Sequence, residues 1–161
     1  MGLRHIKILF AFLTAIYMAL VTLNNLSDYN TNFNFVKGVF TMSDLSSGQA
    51  NRWRAVDDDM LQHIAYLLIM ALELTASVFL SVGAVRMFKA RKGEVGKFHS
   101  AGKLVSSGLV LAVVLWFGLF IGIGGEWFLM WQSATWNGQA TAFSLTTIFL
   151  LFLVIQQRHD H

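Results

Sequence analysis

Four apolar stretches, broken by charge only where a chain would leave a bilayer, take up most of the sequence: Ile6 to Leu26, Leu61 to Val85, Leu104 to Gly125 and Ala140 to Ile155. Each approaches or exceeds the ~20 apolar residues, at about 1.5 Å per residue, with which a helix crosses a hydrocarbon layer about 30 Å thick. The expected fold is therefore all-α: a four-span transmembrane helical bundle, a single membrane domain over residues 1–161 with spans at about 6–26, 61–85, 104–125 and 140–155. Hydrophobic residues make up 55% of the chain and charged ones 13%, against about 25% charged in a soluble domain. A soluble fold would lack the polar surface it needs. The net charge of +3 does not point to nucleic acid, because the basic residues lie in short segments beside the spans rather than on one extended face.

Short segments rich in Lys and Arg stay on the cytoplasmic side, whereas acidic residues have little influence. Arg4, Lys7, Arg86, Lys89, Arg91, Lys92, Lys97, Lys103 and Arg158 fall on one side of the predicted spans, and only Lys37, Arg52 and Arg54 on the other. Asp28, Asp44, Asp57, Asp58, Asp59 and Glu126 accompany those three. Both termini are thus expected in the cytoplasm, with a long outer loop over residues 27–59. The opening Arg4-His5-Ile6-Lys7 followed by an apolar run has the order of a secretory signal, but its run is span-length and no small-x-small site follows promptly. It reads as an uncleaved signal anchor. Cysteine is absent, which excludes disulfides and thiolate chemistry. Proline is absent too, so the spans are expected to be fairly straight.

Residues 27–59 are too few and too irregular for an independent domain and are expected to cap the bundle. Within them Phe33, Val36, Phe40 and Met42 suit one side of a short interfacial helix, while Phe33 and Phe35 alternate as in a strand; the pattern fits both. The link from Arg86 to Lys103 holds six basic residues and only Glu94 against them, enough to attract anionic headgroups at about 1 kcal/mol per basic residue. Asn137-Gly138 predicts a tight turn with positive φ, making the last two spans an antiparallel hairpin. The halves show no internal repeat, which weighs against an inverted-repeat transporter.

Glu73 stands in the middle of the second span, where a charge costs roughly 2.5 to 3.5 kcal/mol or more. It must be neutral, paired or wetted. Tyr66, Met70 and Ser77 share its helical face, and Tyr17, Trp116, Thr146 and Thr147 lie at matching depth on the other spans. The simpler explanation is a protonated carboxyl that fixes packing; the functional one is a proton, ion or ligand site. Asp59 and His63 have the i, i+4 spacing that places two ligands around one cation, with Glu126 as a third donor. An acidic triplet opening a helix is explained equally by capping and the helix dipole. Bis-histidine haem fits poorly: His63 is the one histidine at the outer boundary, and His5, His99, His159 and His161 lie beyond the opposite ends of the spans.

Gly118 and Gly122, followed by Gly124-Gly125, make a flat strip on the third span with the small-xxx-small spacing of close helix contacts, whether to this chain or to a partner. Beyond it Trp127, Trp131 and Trp136 gather with Glu126, Gln132, Asn137 and Gln139. An aromatic belt at the headgroup layer accounts for indoles there; their density also suits a lipophilic ligand or a protein surface.

The run Glu126-Trp127-Phe128-Leu129-Met130-Trp131-Gln132-Ser133, then Thr135-Trp136-Asn137-Gly138-Gln139 and Ala142-Phe143, resembles a bacterial family of predicted small integral membrane proteins of unknown function, domain of unknown function 2165. Asp28-Tyr29, Asn32-Phe33, Phe35-Val36 and Trp53-Arg54-Ala55 resemble the same family. The resemblance implies four spans in a bacterial inner membrane and a periplasmic outer loop. It brings no catalytic residue with it.

The leading expectation is a non-enzymatic membrane protein, an accessory subunit or assembly factor that binds other integral membrane subunits as well as membrane lipids. The second is a small transporter or a lipid- or quinone-binding protein using Glu73, Tyr66, Trp116 and the rim of Glu126, Trp127, Trp131, Trp136 and Asn137. The third is a membrane enzyme or metal protein at Asp59, His63 and Glu126. No resident cofactor is expected.

Overall fold

The structure, a computed structural model, describes residues 2–158, and those residues contain helices, turns and loops but no strand. In chain order the helices are α1 (Leu3–Ser27), α2 (Tyr29–Phe40), α3 (Asp59–Ala90), α4 (Val95–Val113) and α5 (Gln139–Gln157). Single 3₁₀ turns occupy Ala50–Arg54 and Met130–Gln132, and α4 runs directly into a π-helical segment, Val114–Trp127. Four helical rods are long and apolar enough to cross a membrane: α1, α3, α4 with its π continuation, and α5, of 25, 32, 33 and 19 residues. All four expected spans fall inside them. At about 48 Å, α3 exceeds the hydrocarbon thickness, so its ends stand in the headgroup layers or the helix tilts.

Small residues set the packing. α1 buries Ile8, Ala11, Ala15, Met18 and Thr22, three or four residues apart, while Leu13, Ile16, Leu20 and Leu23 are about half exposed, as side chains facing lipid would be. α3 lies against both α1 and α4. A Cβ at Gly83 would stand 2.9 Å from the backbone nitrogen of Val105, and one at Gly108 would stand 3.1 Å from the carbonyl oxygen of Ala76. Where lipid is as apolar as leucine, such close approach replaces the hydrophobic effect as the cause of association. α5 runs antiparallel to α4, with Gln156 against Gly102 at one end and Gln139 against Gly125 at the other.

The helix ends explain how the chain closes. Arg4 Nη1 donates to the carbonyls of Arg91 (3.2 Å) and Gly93 (2.7 Å), just past the C-terminus of α3, and Lys7 Nζ donates to the carbonyl of Arg158 after α5. Cations are favoured at these negative dipole ends. The start of α1, the α3–α4 link and the end of α5 therefore share one end of the molecule. At the other end Asp58 caps α3, its Oδ1 accepting from Leu61 N at 2.9 Å.

Two local features depart from expectation. The second half of the third span does not keep α-helical winding; its bonds run i→i+5, as from Phe128 N to the carbonyl of Ile123 at 3.0 Å. Positive φ is absent at Asn137-Gly138: Gly138 has φ −99° and precedes α5, and positive φ falls instead on Met42 (49°) and Leu129 (54°). Gly138 is small for another reason, since a Cβ there would lie 3.2 Å from Phe35 Cζ.

Residues 29–40 resolve the choice between helix and strand. Only Asp28 separates α1 from α2, which folds back over the ends of the spans opposite the α3–α4 link and buries Phe33, Val36 and Val39 on one face. The loop after it is tied down by Asp44, whose Oδ2 accepts from Ser133 Oγ and Thr135 N, both at 2.8 Å. These bonds hold the Asp44 carboxyl below its ordinary range.

Candidate functional site: a polar cavity and an apolar crevice under α2

Glu73 is 1% exposed, and its carboxylate is met from α1: Asn25 Nδ2 donates to Oε2 at 2.7 Å. Asn25 is itself held from α3, its carbonyl accepting from Tyr66 Oη at 3.0 Å. The leucine-rich α1 carries Asn24-Asn25 in its last turn, which delivers amides to the depth at which α3 carries its acid. Glu73 makes one hydrogen bond among the described residues, and it borders a partly open cavity of about 330 Å³. Asn24, Asn25, Asn32, Tyr66 and Thr141 supply the remaining polar lining, and Phe35, Trp116 and Phe120 the aromatic faces. Trp116 Nε1 is buried and has no hydrogen-bond partner among the described residues, a costly state for an indole N–H.

Against this cavity lies a second space of about 250 Å³ whose lining is almost wholly apolar. Phe35, Val36, Ile69 and Phe120 belong to both, forming a shared wall. The crevice continues past Val39, Leu68, Leu119 and Ile123 to Met130. Leu68 and Ile123, which line the crevice, are 59% and 46% exposed, as side chains facing lipid would be. α2 contributes to both spaces and acts as their cover.

α2 is fastened at both ends. At its start Tyr29 Oη lies 2.7 Å from His63 Nδ1, and Phe33 stacks on the same imidazole with ring centres 3.9 Å apart. Further on, Lys37 Nζ donates to Asp59 Oδ1 at 2.8 Å, and this bond holds the Lys37 ammonium above its ordinary range. At its end Gly38 receives the indole of Trp136, whose Nε1 donates to Ser43 Oγ at 3.0 Å.

The residues singled out in the sequence divide between several places. Glu73, Tyr66 and Trp116 come together at the cavity, with Asn25 as the partner of Glu73 in place of Tyr17, Thr146 or Thr147. Trp136 docks inward on α2, and Trp127 instead packs edge-on against Trp53 beside Arg54, whose guanidinium lies 5.1 Å from its ring. Trp131 is half exposed, and Asn137 Nδ2 donates to its carbonyl at 3.3 Å. The outer tryptophans thus form no common pocket.

The expected metal triad is not assembled. Lys37 occupies Asp59, His63 Nε2 stands 3.6 Å from Asp59 Oδ2, and among the described residues no three metal-ligating side chains converge. Glu126 is exposed and stays apart. Of the haem candidates, His159 and His161 lie outside the described residues. Among the described residues no other helix comes within 4 Å of a Cβ at Gly118 or Gly122, the one at Gly118 meeting only its own Val114 at 4.0 Å. Sequence reasoning missed Asn25, Asn32, Phe35 and Phe120; the one available signal was the amide pair closing an otherwise leucine-rich span.

Over residues 3–158 the chain matches the family described as predicted small integral membrane protein, DUF2165, and it belongs to that family. No curated protein and no solved structure matches it.

Proposed function

We propose that this integral membrane protein binds a membrane-soluble amphiphile, with the apolar part of the ligand in the crevice and its polar head beside Glu73. The observation that carries this reading is the wall shared by the two spaces, which sets a hydrogen-bonding chamber directly against an oily one that faces the bilayer. Ligand sites are characteristically concave and largely apolar with a few convergent polar groups. Binding and carriage account for these features without chemistry, since the cavity brings a carboxylate together with amides and aromatic rings but no nucleophile with its base. Protein purified from native membranes in mild detergent should retain one organic-extractable species enriched far above its share of the membrane. Ile69→Trp, which fills the shared wall, should lose it. Bulk lipids in their membrane proportions, unchanged in Ile69→Trp, would overturn the reading.

Gly118 and Gly122 favour a second role as an accessory subunit. They form a flat surface toward the bilayer on which another protein's helix fits. Chemical crosslinking in native membranes should then capture a stoichiometric neighbour, lost on Gly122→Leu. The Lys and Arg bias supports cytoplasmic termini in a bacterial inner membrane, with α2 on the periplasmic side.

A further inference from the structure

We infer that the head group taken by the Glu73 cavity is cationic, an alkyl- or arylammonium joined to an apolar arm. This rests on the amphiphile-binding reading and specifies its ligand. Among the described residues lining the cavity, Glu73 is the single carboxylate, and no Lys, Arg or His accompanies it. Its one hydrogen bond comes from a neutral amide, so no counter-charge meets it among the described residues. An ionised carboxylate removed from water calls for such a counter-charge. The aromatic lining points the same way. Trp116 and Phe120 stand 4.7 Å apart and tilted, Phe120 and Phe35 stack at 6.4 Å, and Tyr66 lies on the α3 side. Ring faces are the negative poles of their quadrupoles, and the faces that these rings leave free toward the cavity attract an ammonium group.

Anionic heads are excluded by the same features. A phosphate or fatty carboxylate would meet Glu73 with no basic side chain to offset it. A neutral carbonyl could accept from an indole or amide, but it would draw nothing from the acid's charge, and Glu73 would then be held protonated. The ammonium uses the whole lining: carboxylate, rings and amide oxygens. Its apolar arm passes the wall of Phe35, Val36, Ile69 and Phe120 into the crevice.

The test is calorimetric titration of the whole protein in lipid nanodiscs with three probes of one chain length: decyltrimethylammonium, its neutral analogue with carbon in place of nitrogen, and decyl sulfate. The cation should bind at least tenfold more tightly than either of the others. Glu73→Gln keeps the acceptor for Asn25 and should erase that advantage, so that cation and neutral probe then bind alike. Phe120→Leu removes one ring face from the shared wall and should weaken the cation more than the neutral probe, narrowing the cation's advantage. Equal affinity for cation and neutral probe, with Glu73→Gln silent, would overturn the charge assignment and leave the amphiphile site standing. If no probe binds, or if all three bind undiminished to Ile69→Trp, both readings fall.

Discussion

At the residue scale, single contacts with little slack hold the cover in place. Gly38 is the clearest, because a Cβ there would stand 2.5 Å from three atoms of the Trp136 indole. Overpacking of this kind costs about 1 to 3 kcal/mol, so Gly38→Ala should lower the thermal midpoint measured by intrinsic fluorescence. Pairing it with Trp136→Leu should recover part of the loss. Asp44 makes a prediction in pH. Its folded-state pKa is depressed below 3.8 by the bonds from Ser133 and Thr135, so its stabilisation is fully present above that value and disappears as pH falls through the folded one. The difference in midpoint between the native protein and Asp44→Asn should accordingly stay constant from neutrality down to the ordinary carboxylate range, then close. A difference unchanged in acid would remove Asp44 as the tie between the two outer loops.

At the element scale, glycines on different faces of one rod should behave oppositely. Gly108→Ala forces α3 and α4 apart, because the new carbon would meet the Ala76 carbonyl at 3.1 Å and Leu80 Cγ at 2.7 Å. Gly118→Ala meets nothing nearer than 4.0 Å. Denaturant titration in detergent should show the first destabilised and the second unchanged, and equal losses would contradict the packing described. The same elements show what could be read beforehand. The spans were legible because transfer into hydrocarbon is summed residue by residue along the chain, and Glu73 stood out as a charge in an apolar run. The register of α2 was only half legible: Phe33, Val36 and Phe40 satisfy a helical face, but Phe33 and Phe35 satisfy a strand equally well. The pairing of Asn25 with Glu73 was not legible, since it depends on the relative heights of α1 and α3. Neither was the π-helical winding of Val114–Trp127, for which a run of glycines is no specific signal. The metal triad failed on the same ground, because spacing along α3 says nothing about Lys37 arriving from α2 or Glu126 staying away.

At the scale of the whole molecule, one end gathers the start of α1, the basic α3–α4 link and the end of α5, and the other gathers α2 and the acidic loop. The chain has no cysteine, so single replacements report on each end without background. With an impermeant thiol reagent added to intact cells, Trp53→Cys should be labelled and Lys92→Cys protected until the membrane is opened. The reverse pattern would invert the proposed orientation and put the cavity at the opposite face.

The walls around Glu73 are drawn from Val21 through Thr141, which has a consequence for biosynthesis. Such a chamber is finished only when the ribosome has delivered α5, and until then the buried acid has no full enclosure to hold a guest. Nascent chains halted before α5 should integrate into the bilayer yet retain no amphiphile, so that occupancy would separate chains that carry α5 from those that lack it.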